Sequence, residues 1–68
     1  MAVIVNNRVQ EFRNKSRTTQ EELAKSVSVT RQTIIAIEKG NYTPSVVLAL
    51  KLSKFFKTTV EKLFIMEE

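Results

Sequence analysis

A polar cluster in the middle of the chain carries the side chains best suited to reading a nucleic-acid duplex. Thr30, Arg31, Gln32 and Thr33 are consecutive. Glutamine can form two hydrogen bonds with adenine, arginine can do the same with guanine, and threonine can reach a base or a phosphate oxygen. These residue types therefore favour DNA recognition, provided that the fold holds them outward on a rigid support.

The segment before the cluster predicts one short helix of that support. Thr19 and Glu22 form a capping-box pattern, in which a hydroxyl and a carboxylate satisfy the first free amides of a helix. The helix is expected over residues 20–27. Its apolar residues recur at the three- and four-residue spacing of a single face and are Leu23, Ala24 and Val27.

The cluster itself opens the next predicted helix. Thr30 supplies a capping hydroxyl, the helix runs over residues 31–39, and Gly40 ends it. Ile34 and Ile37 are expected to face inward and to pack on the preceding helix at a steep angle. This packing leaves the first turn of the second helix exposed, and the helix-turn-helix motif spans about residues 20–39.

Three more helices are expected, because the chain has only one Gly and one Pro to interrupt them. The first is capped by Asn6 or Asn7 and runs to Lys15. The fourth runs from a cap at Ser45 to Phe56, and the fifth follows Thr59 and ends near residue 64. The expected core of the fourth helix is Val46, Ala49, Leu50, Leu52 and Phe56.

The apolar residues at the two ends of the chain predict a small antiparallel sheet. Residues 3–5 and 64–66 are the expected strands. With 68 residues the chain has room for one domain, so we expect residues 1–68 to form a single all-α domain with this terminal sheet.

The composition excludes several classes of function. The chain has no Cys and no His, which rules out disulfides, thiolate and imidazole metal sites, and nucleophiles that need either partner. No Gly-rich phosphate loop accompanies the carboxylates, so we expect neither an enzyme nor a cofactor, metal or small-molecule ligand. No apolar run approaches a membrane span, and the apolar residues 1–5 are too short for a signal peptide. A cytoplasmic protein is expected.

The charge is basic. Eleven Lys and Arg against seven Asp and Glu give a net charge of +4 and a pI of about 9.8. This balance fits a polyanionic partner and equally a merely soluble basic surface. Lys51, Lys54 and Lys57 recur every three residues, and we interpret them as the solvated face of the fourth helix rather than as a second nucleic-acid surface.

Four motifs together carry a family resemblance: Thr19–Ala24 (TQEELA), Val29–Ile34 (VTRQTI), Ile37–Gly40 (IEKG) and Pro44–Ser45. They resemble the helix-turn-helix of the phage repressor and Cro-like family, also called XRE, over about residues 6–64. The chain is most similar to the short stand-alone regulators that include the cytolysin repressors. The resemblance implies a five-helix, lambda-repressor-like DNA-binding domain that acts as a homodimer on an operator of two half-sites.

The resemblance also implies residue roles at matching positions. The base-reading positions are Arg31, Gln32, Thr33, Ile35 and Ala36. Ile35 either contacts a thymine methyl group or is a partly covered surface residue. The phosphate-contacting positions are Gln20, Thr30, Lys39, Asn41 and Tyr42. Arg17 is a further candidate for a phosphate contact. The alternative for Arg17, as for Arg8, Lys15 and Lys25, is a solvated charge that does not contact DNA.

Other residues acquire structural roles from the same resemblance. Arg13 and Glu38 are expected to form a partly buried ion pair between the first and third helices, the alternative being that Arg13 reaches a phosphate. Ser16 and Ser28 stand at turns where relatives usually have Gly, so positive φ values are expected there.

The chain has more apolar residues than so small a core easily accommodates. Phe55, Phe64, Ile65 and Met66 either complete the core or form a subunit interface, and Val47 raises the same question. We favour the interface, because operators of this kind are read by paired recognition helices.

The function predicted from these observations is a sequence-specific regulator of transcription, a repressor that binds double-stranded DNA as a homodimer. The alternative is an antitoxin or adaptor whose apolar carboxyl-terminal surface binds another protein and whose DNA binding is secondary. A stable dimer without a partner, and a DNA complex that resists excess nonspecific DNA, would distinguish the first from the second.

Overall fold

The structure is a computed structural model that describes residues 4–67. Five helices lie between two strands that pair with each other, as the sequence predicts. The elements are β1 (Ile4–Asn7), α1 (Val9–Lys15), α2 (Gln20–Ser26), α3 (Arg31–Glu38), α4 (Val46–Phe55), α5 (Val60–Leu63) and β2 (Phe64–Glu67).

Four of the helices begin with the same local interaction. The hydroxyl groups of Thr19, Thr30, Ser45 and Thr59 each accept a hydrogen bond from the amide three residues later. The exception is α1, where Asn7, expected as the cap, does accept the amide of Val9 through its Oδ1 at 3.1 Å, but from one residue before the cap position. Both asparagines lie in β1 and Arg8 occupies the cap position without a side-chain bond.

Four helices also end alike, in the Schellman arrangement. After α2, the amide of Val29 donates to the carbonyl of Ala24 (2.9 Å) and that of Ser28 to Lys25 (3.3 Å). The residue that carries this turn has a positive φ in every case: Arg17, Ser28, Gly40 and Lys57. The expectation for Ser28 is confirmed, with φ at 61°.

The expectation for Ser16 is wrong. Its φ is −89°, and Arg17, with φ at 54°, takes the left-handed conformation instead. The reason is the geometry of the motif, which places the left-handed residue one position beyond the last cap residue. Of these four positions within residues 4–67, one is glycine, so the other three bear a conformational cost.

The sheet is antiparallel and pairs Val5 with Met66, Asn6 with Ile65, and Asn7 with Phe64. β1 extends two residues beyond the predicted strand, and Val3 lies outside the described residues. The extension includes both asparagines. Strand pairing satisfies hydrogen-bonding groups of their backbones, and their side chains bond other residues.

The core collects buried side chains from every helix: Val9, Leu23, Ala24, Val27, Ile34, Ile37, Leu48, Leu52 and Leu63. The expected placement of Val46 and Leu50 in the core is wrong, since they are 75% and 54% exposed. α4 carries two apolar stripes. The one that packs inward consists of Leu48, Ala49, Leu52, Ser53 and the half-buried Phe56.

Candidate nucleic-acid interface

The outward face of α3 presents most of the predicted base-reading residues. Ile34 and Ile37 are fully buried and fix the rotation of the helix about its axis. At about 100° per residue, this rotation places Gln32 and Lys39 at the centre of the opposite face, with Ile35 and Ala36 about 50° to either side. Arg31 and Gln32 are exposed, whereas Ile35 and Ala36 are half-buried. The face is therefore polar at the start of the helix and apolar one turn later.

Thr33 lies at the margin of this face. The Oγ1 atoms of Thr30 and Thr33 are 3.1 Å apart and share a hydrogen bond. Thr30 Oγ1 also accepts the amide of Thr33 at 3.3 Å. One hydroxyl proton is thus used within the turn, and the other stays available to an outside acceptor.

The start of α2 lies beside the start of α3. The side chains of Arg13, Gln20 and Arg31 line a common open cleft of about 480 Å³. Gln20 does not point freely outward, because its Nε2 donates to Glu38 Oε1 at 3.1 Å. Its predicted phosphate contact is therefore restricted to its remaining polar groups.

Arg13 and Glu38 lie together between α1 and α3. Arg13 Nε is 2.7 Å from Glu38 Oε2, and the two side chains are only 12% and 5% exposed. Arg13 also donates to Glu38 Oε1 at 3.2 Å and to the carbonyl of Thr18 at 3.0 Å. With Gln20, they form a hydrogen-bonded network that ties α1 and α2 to the last turn of α3.

Asn7 is a second support that sequence reasoning missed. Its Nδ2 donates to the carbonyl of Ile37 at 2.8 Å, and its Oδ1 accepts the amide of Val9 at 3.1 Å. Asn7 thus joins β1 and α1 to the carboxyl end of α3. The only signal in the sequence was an asparagine just before a helix, which indicates a local cap but not the contact thirty residues away.

The capping box at the start of α2 sets the charge state of Glu22. Glu22 Oε1 accepts the backbone amide of Thr19 at 2.8 Å, and Thr19 Oγ1 accepts the amide of Glu22 at 3.1 Å. The backbone hydrogen bond, followed by the side-chain one, lowers the pKa of Glu22 below its ordinary value of 4.5. The carboxylate stays ionised at the positive end of the helix.

The loop after α3 carries three predicted phosphate contacts. Gly40, with φ at 79°, turns the chain after Lys39, and the side chains of Lys39, Asn41 and Tyr42 are exposed. Tyr42 borders a cleft together with Thr33. The loop therefore continues the exposed surface of α3. Arg17 is exposed in the turn before α2.

The four residues predicted for the subunit interface differ in exposure. Met66 is 64% exposed and Phe55 is 37% exposed. Phe64 and Ile65 are half-buried, and Phe64 packs against the core of its own subunit. Val47, for which the sequence left the same two alternatives open, is 63% exposed, and so are Val46 and Leu50, which the sequence placed in the core, at 75% and 54%.

Residues 4–67 contain no group of three or more Asp or Glu side chains close enough to hold a metal ion. Within the same range, no helix combines the length and the apolar character needed to cross a bilayer.

Comparisons with known proteins agree on one family. Residues 9–63 match the family described as Helix-turn-helix. An HTH-type transcriptional regulator of Methanocaldococcus jannaschii is 52% identical over 62 residues, which cover 91% of this chain and 94% of the relative. An HTH-type transcriptional regulator of Bacillus subtilis is 50% identical, with the same coverage.

A solved structure is also similar. It is the restriction-modification controller protein C.AhdI from Aeromonas hydrophila, with a TM-score of 0.77 and 30% identity. The match covers 84% of this chain and 86% of that one. The fold predicted from the sequence is therefore shared with a controller protein.

Proposed function

Because this chain belongs to the XRE-type helix-turn-helix family of transcriptional regulators, which bind DNA and are not a class of enzymes, we propose that it is a repressor. It acts in the cytoplasm and binds a palindromic operator as a homodimer. The observation that carries this proposal is the rotation of α3, which buries Ile34 and Ile37 and leaves Gln32 at the centre of an exposed polar surface.

Base reading is assigned to the outward face of α3. Gln32 and Arg31 supply the bidentate hydrogen bonds that adenine and guanine accept in the major groove. Ile35 and Ala36 form an apolar step suited to a thymine methyl group. Thr33, at the margin, donates its free hydroxyl proton to a base or to an adjacent phosphate.

Phosphate binding is assigned to the groups that surround this face. Lys39, Asn41 and Tyr42 follow α3, and Arg17 precedes α2. Thr30 and Gln20 take part at the starts of the two motif helices, Gln20 through groups other than the Nε2 that bonds Glu38. These contacts give affinity and position the protein, but they carry no sequence information.

The proposed subunit interface combines apolar groups away from α3. It consists of Phe64, Ile65 and Met66 in β2, joined by Val46 and Leu50 of α4, both more than half exposed. Phe55 lies about 180° around α4 from Val46 and about 140° from Leu50, so the interface that we propose leaves it out. Two copies can then present their α3 helices about 34 Å apart to successive major-groove segments.

The test of the function begins with selection of bound sequences from random duplex DNA by the full chain. A palindromic consensus with half-sites one helical turn apart is expected. Replacing Gln32 by Ala should then cost about 1–3 kcal/mol on the selected site and less on unrelated DNA. Equal losses on both would show that Gln32 reads no base.

A second variant isolates the phosphate contacts. Lys39→Ala should weaken binding to all sequences alike. It should also make the slope of log affinity against log salt concentration shallower by about one, the share of one phosphate contact. Lys25→Ala is the matched control, since Lys25 is 79% exposed on α2 and pairs only weakly with Glu21 at 3.9 Å. A salt slope that is the same in both variants would remove Lys39 from the interface.

The dimer is tested by sedimentation of the protein alone. Leu50→Glu and Met66→Glu should each shift the protein to monomer, while Phe55→Ala should not. A wild-type protein that sediments as a monomer, both free and on the selected DNA, would refute the proposed homodimer.

A further inference from the structure

Three shallow clefts lie in a row along one edge of α4. The first and second clefts share Ser28 and Lys51, and the second and third share Phe55. Neighbouring clefts share lining residues, and the three together are called the α4 groove. It follows the side of α4 that carries Lys51 and Phe55, about 140° and 180° around the helix from Val46. Lys54 lies one turn from Leu50 of the proposed subunit interface, and the first cleft borders Thr33 and Tyr42 of the candidate nucleic-acid interface.

The charge of the α4 groove has one sign. Lys51 and Lys54 line its middle, and Lys15 and Lys57 line its far end. Among the described residues, no carboxylate lines any of the three clefts. Glu11 approaches only Lys15, at 3.4 Å, and both side chains are more than half exposed. Such an exposed pair neutralises little of the local potential.

The floor of the groove is aromatic at its far end. Phe12, Phe55 and Phe56 line an open cleft of about 350 Å³, enough for one apolar side chain. The Phe55 and Phe56 rings meet edge to face at 5.0 Å, and the Phe12 and Phe56 rings are 5.7 Å apart. These contacts hold the rings in place, while Phe55 remains 37% exposed among the lysines.

We propose that the α4 groove binds an acidic segment of a partner protein that carries one apolar anchor residue. The lysines pair with its carboxylates, and the anchor enters the aromatic cleft. From Val47 to Phe55 the groove follows about 12 Å of helix, which matches about four residues of extended chain. The proposal does not depend on DNA binding.

The charges and the apolar floor distinguish this occupant from two others. A second copy that docks by the same surface would place one lysine row against another, and the contact would be repulsive. A DNA backbone would satisfy the lysines but would bring phosphates, not apolar groups, to the aromatic cleft. An acidic segment with an apolar anchor satisfies both parts of the groove.

The probe is a fluorescein-labelled peptide of about eight aspartate and glutamate residues with one central phenylalanine. Its binding to the full chain is measured by fluorescence anisotropy. Phe55→Ala and Lys54→Glu should each weaken binding at least about tenfold, as expected for a central anchor and a paired charge. Replacing the peptide's phenylalanine by alanine should have a similar effect on the wild-type protein.

Lys25→Glu is the control for net charge, because Lys25 is exposed on α2 and lines none of the three clefts. It should change peptide affinity about twofold or less. The proposal fails if Lys25→Glu weakens binding as much as Lys54→Glu, or if the phenylalanine and alanine peptides bind equally. It also fails if Lys54→Glu leaves the peptide unaffected but lowers affinity for random duplex DNA, since the groove would then follow DNA.

Discussion

Removing the Arg13 guanidinium tests whether the network behind α3 holds the recognition helix in place. In Arg13→Met, the Glu38 carboxylate, only 5% exposed, loses its charged partner at 2.7 Å and keeps the hydrogen bond from Gln20 Nε2. The methionine replaces much of the apolar stem that Arg13 contributes to packing. The substitution therefore combines the cost of a buried and unpaired charge with the loss of one hydrogen bond to the Thr18 carbonyl.

The magnitude follows from burial. Breaking a buried ion pair on one side costs about 3–5 kcal/mol, because the remaining charge is desolvated without compensation. A domain of 68 residues has a total stability of roughly 3–10 kcal/mol. The variant should thus lose between a third of its stability and all of it. Replacing both partners, as in Arg13→Met with Glu38→Leu, should recover most of the loss, since no charge is then left buried.

The measurement is urea unfolding followed by circular dichroism, at protein concentrations high enough to keep the oligomeric state constant. Lys15→Met is the matched control. It breaks the exposed Lys15–Glu11 pair at 3.4 Å and should cost no more than about 0.5 kcal/mol. A loss below about 1 kcal/mol in Arg13→Met would show that the pair does not hold α1 against α3.

Three other predictions concern local features of the fold. Ser28→Gly should stabilise the protein by about 0.5–1 kcal/mol, because glycine adopts the left-handed conformation of position 28 without strain. Gly40→Ala should cost about 1 kcal/mol through backbone strain alone, because an added Cβ meets no atom within 4 Å. The midpoints of urea unfolding should therefore move in opposite directions. The lowered pKa of Glu22 means that its capping contribution is present above pH 4.5 and is lost as the pH falls through that lowered pKa. Glu22→Gln, which cannot ionise, should remove this acid-dependent part, and unfolding of both proteins at pH 7 and pH 3 would reveal the difference. Asn7→Ala should cost about 1–2 kcal/mol, because it removes two hydrogen bonds, one to the Ile37 carbonyl and one from the Val9 amide, while the carbonyl keeps its bond from the Gly40 amide. Unchanged stability would show that Asn7 supports nothing.

Local interactions explain why the helix boundaries could be predicted. A cap and its amide are three residues apart, and the final turn closes over six residues, so the chain near Thr19, Thr30, Ser45 and Thr59 contains the whole signal. The inward residues of α2 and α3 were equally readable, because each helix has one apolar stripe. The start of α1 was harder to predict, because Asn7, a capping residue by type, belongs to strand β1.

The rotation of helix α4 about its axis could not be predicted in the same way. Its sequence carries one stripe through Val46 and Leu50 and another through Leu48 and Leu52, and both have the four-residue spacing of a helix face. Choosing between them requires knowing which side meets the rest of the core. The sequence therefore specified an amphipathic helix but not its rotation.

Residue types and local spacing determined that this chain forms capped helices around a polar Arg31–Gln32–Thr33 segment, because those signals act over a few residues. Tertiary structure alone decided what lies behind and beside that segment. Gln20 meets Glu38 across eighteen positions, and Asn7 meets Ile37 across thirty. The α4 groove likewise brings Phe12 to Phe55. Such contacts depend on how separate elements pack, and no local pattern encodes them.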